Sequence, residues 1–128
     1  MREPTPEEAR ALLAVQRLQT AYGDAVTRRA WDEVAALFEP GAVVHIDTRT
    51  RPPFELVAPE GLIDFIEASL EQFAFFEFTI LNAVAEVDDA DATGRVYICE
   101  LRCDAAGEWT QEALLHEAMT GPALEALA

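Results

Sequence analysis

The sequence contains no lysine, and it has only two cysteines and two histidines. All nine basic residues are arginine, against 24 acidic residues, which gives a formal net charge of −15. Such a chain repels phosphate backbones, so neither nucleic acid nor an anionic membrane is an expected partner. No apolar run reaches the roughly 18 residues of a membrane span. The first ten residues lack the basic-then-apolar pattern of a secretory signal, so we expect a cytoplasmic location.

The two cysteines are not expected to pair. Cys99 and Cys103 lie four positions apart in "YICELRC", which has the pattern of a strand. Their Cα atoms should therefore be roughly 13 Å apart, whereas a disulfide needs less than about 7 Å. Without clustered histidines they also make a poor zinc site. We predict buried, reduced thiols and neither a metal nor a cofactor.

The front of the chain has helical patterns. Thr5, Pro6 and Glu8 form the signature of a capping box at the start of a first helix. Apolar residues then recur at helical spacing along it: Ala11, Val15, Leu18, Tyr22 and Val26. A second short helix, "WDEVAALF", precedes the strand "AVVHID", and a third helix, "PEGLIDFIEASLEQF", follows an Arg/Pro loop.

The back of the chain is rich in strands. "FFEFTILNAVAEV" and "ATGRVYICELRC" are two long strands joined by an acidic turn, and a further strand begins at "GEWT". Parallel βαβ repeats are absent. The predicted fold class is therefore α+β in a single domain over residues 1–128, with three helices in the N-terminal half packed on a mainly antiparallel sheet.

This order of elements resembles the SnoaL-like branch of the nuclear-transport-factor-2-like superfamily. The resemblance rests on "AYGDAVTRRAWDEVAALFEPGAVVHID", "PEGLIDFI" and "FTILNAVAEVDDADATGRVYICELR", and it covers roughly residues 10–110. It implies a cystatin-like cone whose curved sheet wraps around a pocket for a small apolar ligand, and a homodimer. It also implies lyase, isomerase or cyclase chemistry on polycyclic or aromatic carbonyl compounds.

The catalytic positions of the scytalone dehydratases are changed in this chain. The aspartate of their first helix falls at Thr27 and the tyrosine before it at Val26. Their first-strand Asp-Tyr pair falls at His45 and Ile46, and a histidine of the long strand falls near Phe78. Proton transfer needs a titratable group within reach of the reacting atom, so the dehydratase mechanism does not carry over.

Other residues are candidates for catalysis. Tyr22 lies on the buried stripe, and its hydroxyl needs a partner, whereas Asp24 is either a pocket carboxylate or a solvated one. His45 and Asp47 share one side of their strand because side chains alternate. They form either a histidine–carboxylate pair in the cavity or a polar pair on the outside, and the strand alone leaves both interpretations open.

Five further residues are candidates for ligand binding. In "TRTRPPF", Arg49 and Arg51 are placed to bind an anionic ligand at the mouth of the cone, or to pair with Glu55 or Glu60. Phe54 is expected to point inward. Phe78 and Glu100 are predicted to line the pocket, since Glu100 shares a strand face with apolar residues and with Arg102. At least one of these two charges should therefore be partly buried, and the pair is either structural or interfacial unless Glu100 faces the pocket as a base.

The last residues depart from the resemblance. "QEALLHEAMTGPALEALA" is rich in helix-forming residues, so we predict a helical tail from about residue 111, with helix from Glu112 to Met119. The alternative is a strand over residues 108–118 beside residues 92–104, with Leu114 and His116 on one face.

Two classes of function follow. The chain is either a small lyase or isomerase, or a non-catalytic module for ligand binding or dimerisation. Convergence of Tyr22, Asp24 and His45 on one cavity would distinguish the first from the second. A homodimer is expected through the outer sheet face of the strands at 74–87 and 92–104, because both are long and apolar on two sides.

Overall fold

The computed structural model describes the backbone of residues 1–122 and the side chains of residues 1–111. The elements are, in chain order, α1 Pro6–Thr27, α2 Trp31–Ala35, β1 Val43–Ile46, β2 Phe54–Val57, α3 Glu60–Leu70, β3 Phe73–Asp88, β4 Asp91–Asp104 and β5 Trp109–Pro122. The α+β class is confirmed, with helices and antiparallel sheets both present. Among the described residues, no helix is long and apolar enough to cross a membrane.

α1 begins as predicted. The hydroxyl oxygen of Thr5 accepts a hydrogen bond from the Glu8 amide at 3.2 Å, and the Glu8 carboxylate accepts one from the Thr5 amide at 2.8 Å. Arg2 also binds the Glu8 carboxylate. These hydrogen bonds lower the pKa of Glu8 to about 2, with that from Arg2 having the largest effect. The capping box is therefore complete.

Two predicted segments were wrong. Residues 54–57 form β2, an antiparallel partner of β1 in which His45 pairs with Glu55, where no strand was expected. This strand is only four residues long and directly follows two prolines, so its sequence pattern is weak. The helical tail is also wrong, because Trp109–Pro122 is a strand paired with β4. Residues 123–128 lie outside the described residues.

The main sheet is an antiparallel meander in the order β3-β4-β5, and β1-β2 form a separate two-stranded sheet. The ladder between β3 and β4 shifts between Phe73 and Phe75 and between Ile80 and Asn82. That between β4 and β5 shifts between Gly94 and Arg95. Such bulges bend a strand and increase its twist.

The core lies between the three helices and the inner face of the main sheet. Its larger group of buried side chains includes Val34, Leu70, Phe76, Phe78 and Ile98. A smaller group consists of Ala11, Val15 and Ala92, near the N-terminal half of α1. Both cysteines are free; Cys103 is buried, whereas Cys99, which was also predicted to be buried, is half-buried.

Candidate functional site

His45 and Asp47 lie on the exposed side of the β1-β2 sheet. The His45 side chain is 77% exposed, with Nδ1 3.1 Å from Oε1 of Glu55. Asp47 accepts a hydrogen bond from the Arg49 amide at 2.9 Å and pairs with its guanidinium at 3.5 Å. Of the two interpretations of this strand, the structure favours the polar pair on the outside.

Asp24 is a solvated helix carboxylate. It is exposed and accepts a hydrogen bond from Nη2 of Arg28 at 2.8 Å. This hydrogen bond lowers the pKa of Asp24, so the carboxyl group stays ionised as a surface ion-pair partner. Asp24 and His45 therefore do not converge with Tyr22 on one cavity.

The two loop arginines make local contacts, as one interpretation of the loop expected, but with other partners. Arg49 pairs with Asp47. The guanidinium carbon of Arg51 lies 4.0 Å from the ring centroid of Phe54 and 5.7 Å from that of Phe65. The rings of Phe54 and Phe65 are in edge contact at 5.4 Å. Phe54 therefore packs inward against α3, as predicted, and holds Arg51 by a cation–π contact.

Three of the predicted residues do come together. The Tyr22 ring packs edge-on against the buried Phe78 ring, with centroids 5.6 Å apart, and against Phe38 at 6.0 Å. Phe78 is the cross-strand partner of Glu100. Burial, and after it the negative charge of Glu100, raises the pKa of Tyr22 to about 12. Tyr22 is thus a neutral hydroxyl at any physiological pH, available as a hydrogen-bond donor.

Arg102 completes this group. Its guanidinium contacts the Glu100 carboxylate, with side chains 22% and 15% exposed, and its guanidinium carbon lies 5.6 Å from the Phe73 ring centroid. The partial burial expected for at least one of these charges is therefore confirmed, and both side chains are partly buried. Arg102 was not among the predicted site residues, although its i,i+2 spacing from Glu100 signalled it. We call Tyr22, Phe78, Glu100 and Arg102 the inner polar cluster.

Thr27 links α1 to β3 by a hydrogen bond. Its Oγ1 accepts a hydrogen bond from the Phe78 amide at 3.0 Å. The nearby Gly23 allows this close packing, since a Cβ there would lie 3.2 Å from Cδ1 of Phe78. Thr27, which stands where the scytalone dehydratases have an aspartate, therefore makes a hydrogen bond to the backbone of β3.

Residues 7–119 match the model of a SnoaL-like domain. The chain belongs to the SnoaL-like domain family. No curated protein matches this SnoaL-like domain.

Solved structures share its fold. An NTF2-like superfamily protein from Salmonella enterica serovar Typhimurium superposes with a TM-score of 0.74 at 10% identity, over 89% of this chain and 80% of that one. The protein Aln2 from a Streptomyces species gives 0.65 at 18% identity, over 89% and 79%. A proposed scytalone dehydratase from Novosphingobium aromaticivorans gives 0.62 at 16% identity, over 87% and 86%.

Proposed function

We propose that this domain binds a small, largely apolar carbonyl compound at the inner polar cluster. The observation that carries the proposal is that Glu100 and Arg102 are in contact on the inner side of the sheet, within electrostatic reach of Tyr22, whose ring packs among aromatic and aliphatic side chains. An apolar site with a few convergent polar groups is the usual form of a small-molecule site. The names of the structural neighbours, which include a proposed dehydratase, agree with such a ligand.

Each polar group has a distinct role in this proposal. The neutral Tyr22 hydroxyl donates a hydrogen bond to the carbonyl oxygen of the ligand, which accepts it with a lone pair. Glu100 is held by Arg102, so its charge is compensated and the site as a whole is not strongly anionic. The aromatic rings of Phe78 and Phe38 provide apolar walls beside Tyr22.

The geometry favours binding over catalysis. The groups with carboxylate or imidazole chemistry in the predicted catalytic set, Asp24, His45 and Asp47, are all solvent-facing. Glu100 is the remaining candidate base, and its carboxylate is already engaged by the guanidinium of Arg102. A ligand-binding module is therefore our first proposal, and a lyase or isomerase that uses Glu100 is the alternative.

Tyr22→Phe is expected to weaken binding of 1-tetralone about 3- to 10-fold, because it removes one hydrogen bond to the carbonyl oxygen. Binding of tetralin, which has the same ring system without the carbonyl, should not change. Calorimetric titration of both ligands against both proteins measures this. Equal loss for tetralone and tetralin would contradict the proposed role, and absence of tetralone binding by the wild type would contradict this choice of ligand.

The same substitution has a pH signature. The pKa of Tyr22 is raised from 10, its ordinary value, to about 12 in the folded protein. The neutral hydroxyl therefore makes its full contribution to the free energy of unfolding below pH 10. The contribution is lost as the pH rises through 12, because the unfolded chain then releases the proton more readily. The free energy of unfolding of the wild type should fall over this interval more steeply than that of Tyr22→Phe.

We further propose a homodimer through the outer face of the main sheet. Large apolar side chains are exposed there on three strands: Leu81 at 63%, Trp109 at 57%, Phe75 at 42%, and Val84 and Tyr97 at 38% each. The rings of Phe75 and Trp109 pack against each other, with centroids 5.3 Å apart. A face of this kind is typical of an interface between protein chains.

Tyr97→Asp should convert the dimer into a monomer, since it places a charge in the centre of the apolar face. Light scattering coupled to gel filtration at micromolar concentration gives the mass. Leu13→Asp is the matched control, because Leu13 is 58% exposed on α1 and far in sequence from the sheet. A monomeric wild type would contradict the proposal directly.

A further inference from the structure

Gln19 is a buried side chain whose hydrogen-bonding groups are unused. It lies on the inner side of α1 and is 2% exposed. Within the residues that the structure describes, neither its Oε1 nor its Nε2 has a hydrogen-bond partner. Nearly all buried polar groups in folded proteins are paired, so an amide left in this state calls for an occupant that pairs with it.

The sheet is shaped to receive this amide. A Cβ at Gly94 of β4 would lie 2.7 Å from Nε2 of Gln19 and 3.7 Å from the Val84 carbonyl oxygen, so a larger residue would displace the amide. The partner of Gly94 on β3 is Ala85, and its partner on β5 is Met119. β3 and β4 therefore present only a methyl group and a hydrogen at this register position.

The surroundings of Gln19 are apolar. Val15, one turn earlier in α1, belongs to the smaller core group with Ala11 and Ala92, and Tyr22, one turn later, packs against the larger group. Gln19 thus lies between the two groups along α1. A charged occupant would lose its hydration there without compensation, so the occupant must be uncharged.

We propose that Gln19 is the polar anchor of a buried binding position between α1 and the sheet, which takes a small uncharged molecule with a donor and an acceptor side by side, as in a cyclic amide. A carboxamide offers one acceptor oxygen and two N–H donors, and a lactam presents the matching N–H and C=O on one edge. On α1 the position adjoins the inner polar cluster, because Tyr22 lies one turn after Gln19. On β4 the two are further apart, since Glu100 lies six residues beyond Gly94, which is roughly 20 Å.

The first test is stability without a ligand. Gln19→Met keeps the length of the side chain and removes both unpaired polar atoms, so the melting temperature should rise by about 3–6 °C. Such a rise identifies a residue that is kept at a cost to stability. Gln19→Leu repeats the test if methionine packs poorly. A fall in both variants would show that the amide supports the fold and would overturn the proposal.

The second test is binding. The side-chain amide signals of Gln19 are identified in a ¹H–¹⁵N spectrum by their absence from Gln19→Met. Titration with δ-valerolactam should shift them to saturation in the millimolar range. N-methyl-δ-valerolactam lacks the N–H donor and should bind roughly tenfold more weakly, as expected for one lost hydrogen bond to a buried partner.

The outcomes separate this position from the proposed function. Shifts at Gln19 with unchanged tetralone binding support a second, independent position. An unmoved Gln19 signal at saturating lactam overturns the inference, even where Gln19→Met is stabilised, and leaves the tetralone result intact. Equal shifts with both lactams also overturn it, because the predicted donor–acceptor pairing would then play no part.

Discussion

Replacing Ile98 with alanine is expected to lower the free energy of unfolding by about 2–5 kcal/mol. Ile98 has no exposed surface and lies on the inner face of the central strand β4, where it joins the larger core group. The substitution removes buried methyl and methylene groups and leaves a cavity that the surrounding side chains fill only in part. Urea unfolding followed by circular dichroism measures the change.

Leu13→Ala is the matched control for this experiment. Leu13 lies on α1, outside the proposed dimer face, and is 58% exposed, so its truncation should change stability by less than about 1 kcal/mol. A loss in the free energy of unfolding of less than about 1 kcal/mol for Ile98→Ala would contradict the position of Ile98 in the core.

Arg102→Met is expected to destabilise the fold by about 2–4 kcal/mol, somewhat less than the loss of one partner from a fully buried pair. Arg102 contacts Glu100 with both side chains largely buried, so its removal leaves the Glu100 carboxylate without this counter-charge in a poorly hydrated position. Methionine preserves much of the aliphatic stem that Arg102 packs beside Phe73.

The double variant Glu100→Gln/Arg102→Met separates charge from packing. It removes the orphaned charge, so it should be more stable than Arg102→Met alone, and the coupling between the two positions should be about 1–3 kcal/mol. Additive effects of the two single variants would show that the contact contributes little. Glu77→Gln, at an exposed position of β3, is the control for loss of a carboxylate.

The helices and the long strands were predictable because their signals are local. The capping box at Thr5 fixes the start of α1, and the apolar spacing along it identifies the buried face. The alternation in β4 correctly placed Val96, Ile98 and Glu100 on one side. The predicted α2 extended to Phe38, whereas the structure ends it at Ala35, an ordinary error at a helix end.

β5 was predicted wrongly because its local preference and its surroundings conflict. Residues such as Ala113, Leu114 and Glu117 favour helix in isolation. The long neighbouring strand β4 offers a continuous row of backbone donors and acceptors, and pairing with it satisfies those groups over Trp109–Pro122. The strand considered as the alternative is the one that forms, and it pairs His116 with Val96 in the register.

The sequence by itself determined the α+β class, the family resemblance and the capped first helix, because composition, periodicity and capping act over a few neighbouring residues. Only the tertiary structure decided which polar residues share a site. Tyr22 lies within electrostatic reach of Glu100 because α1 packs against β3 and β4, while His45 and Asp47 turn outward on a separate hairpin. The burial of the unpaired amide of Gln19 likewise follows only from the packing of α1 against Gly94 of β4. Such contacts join residues distant in the chain, and they are fixed by the packing of whole elements, which no local pattern encodes.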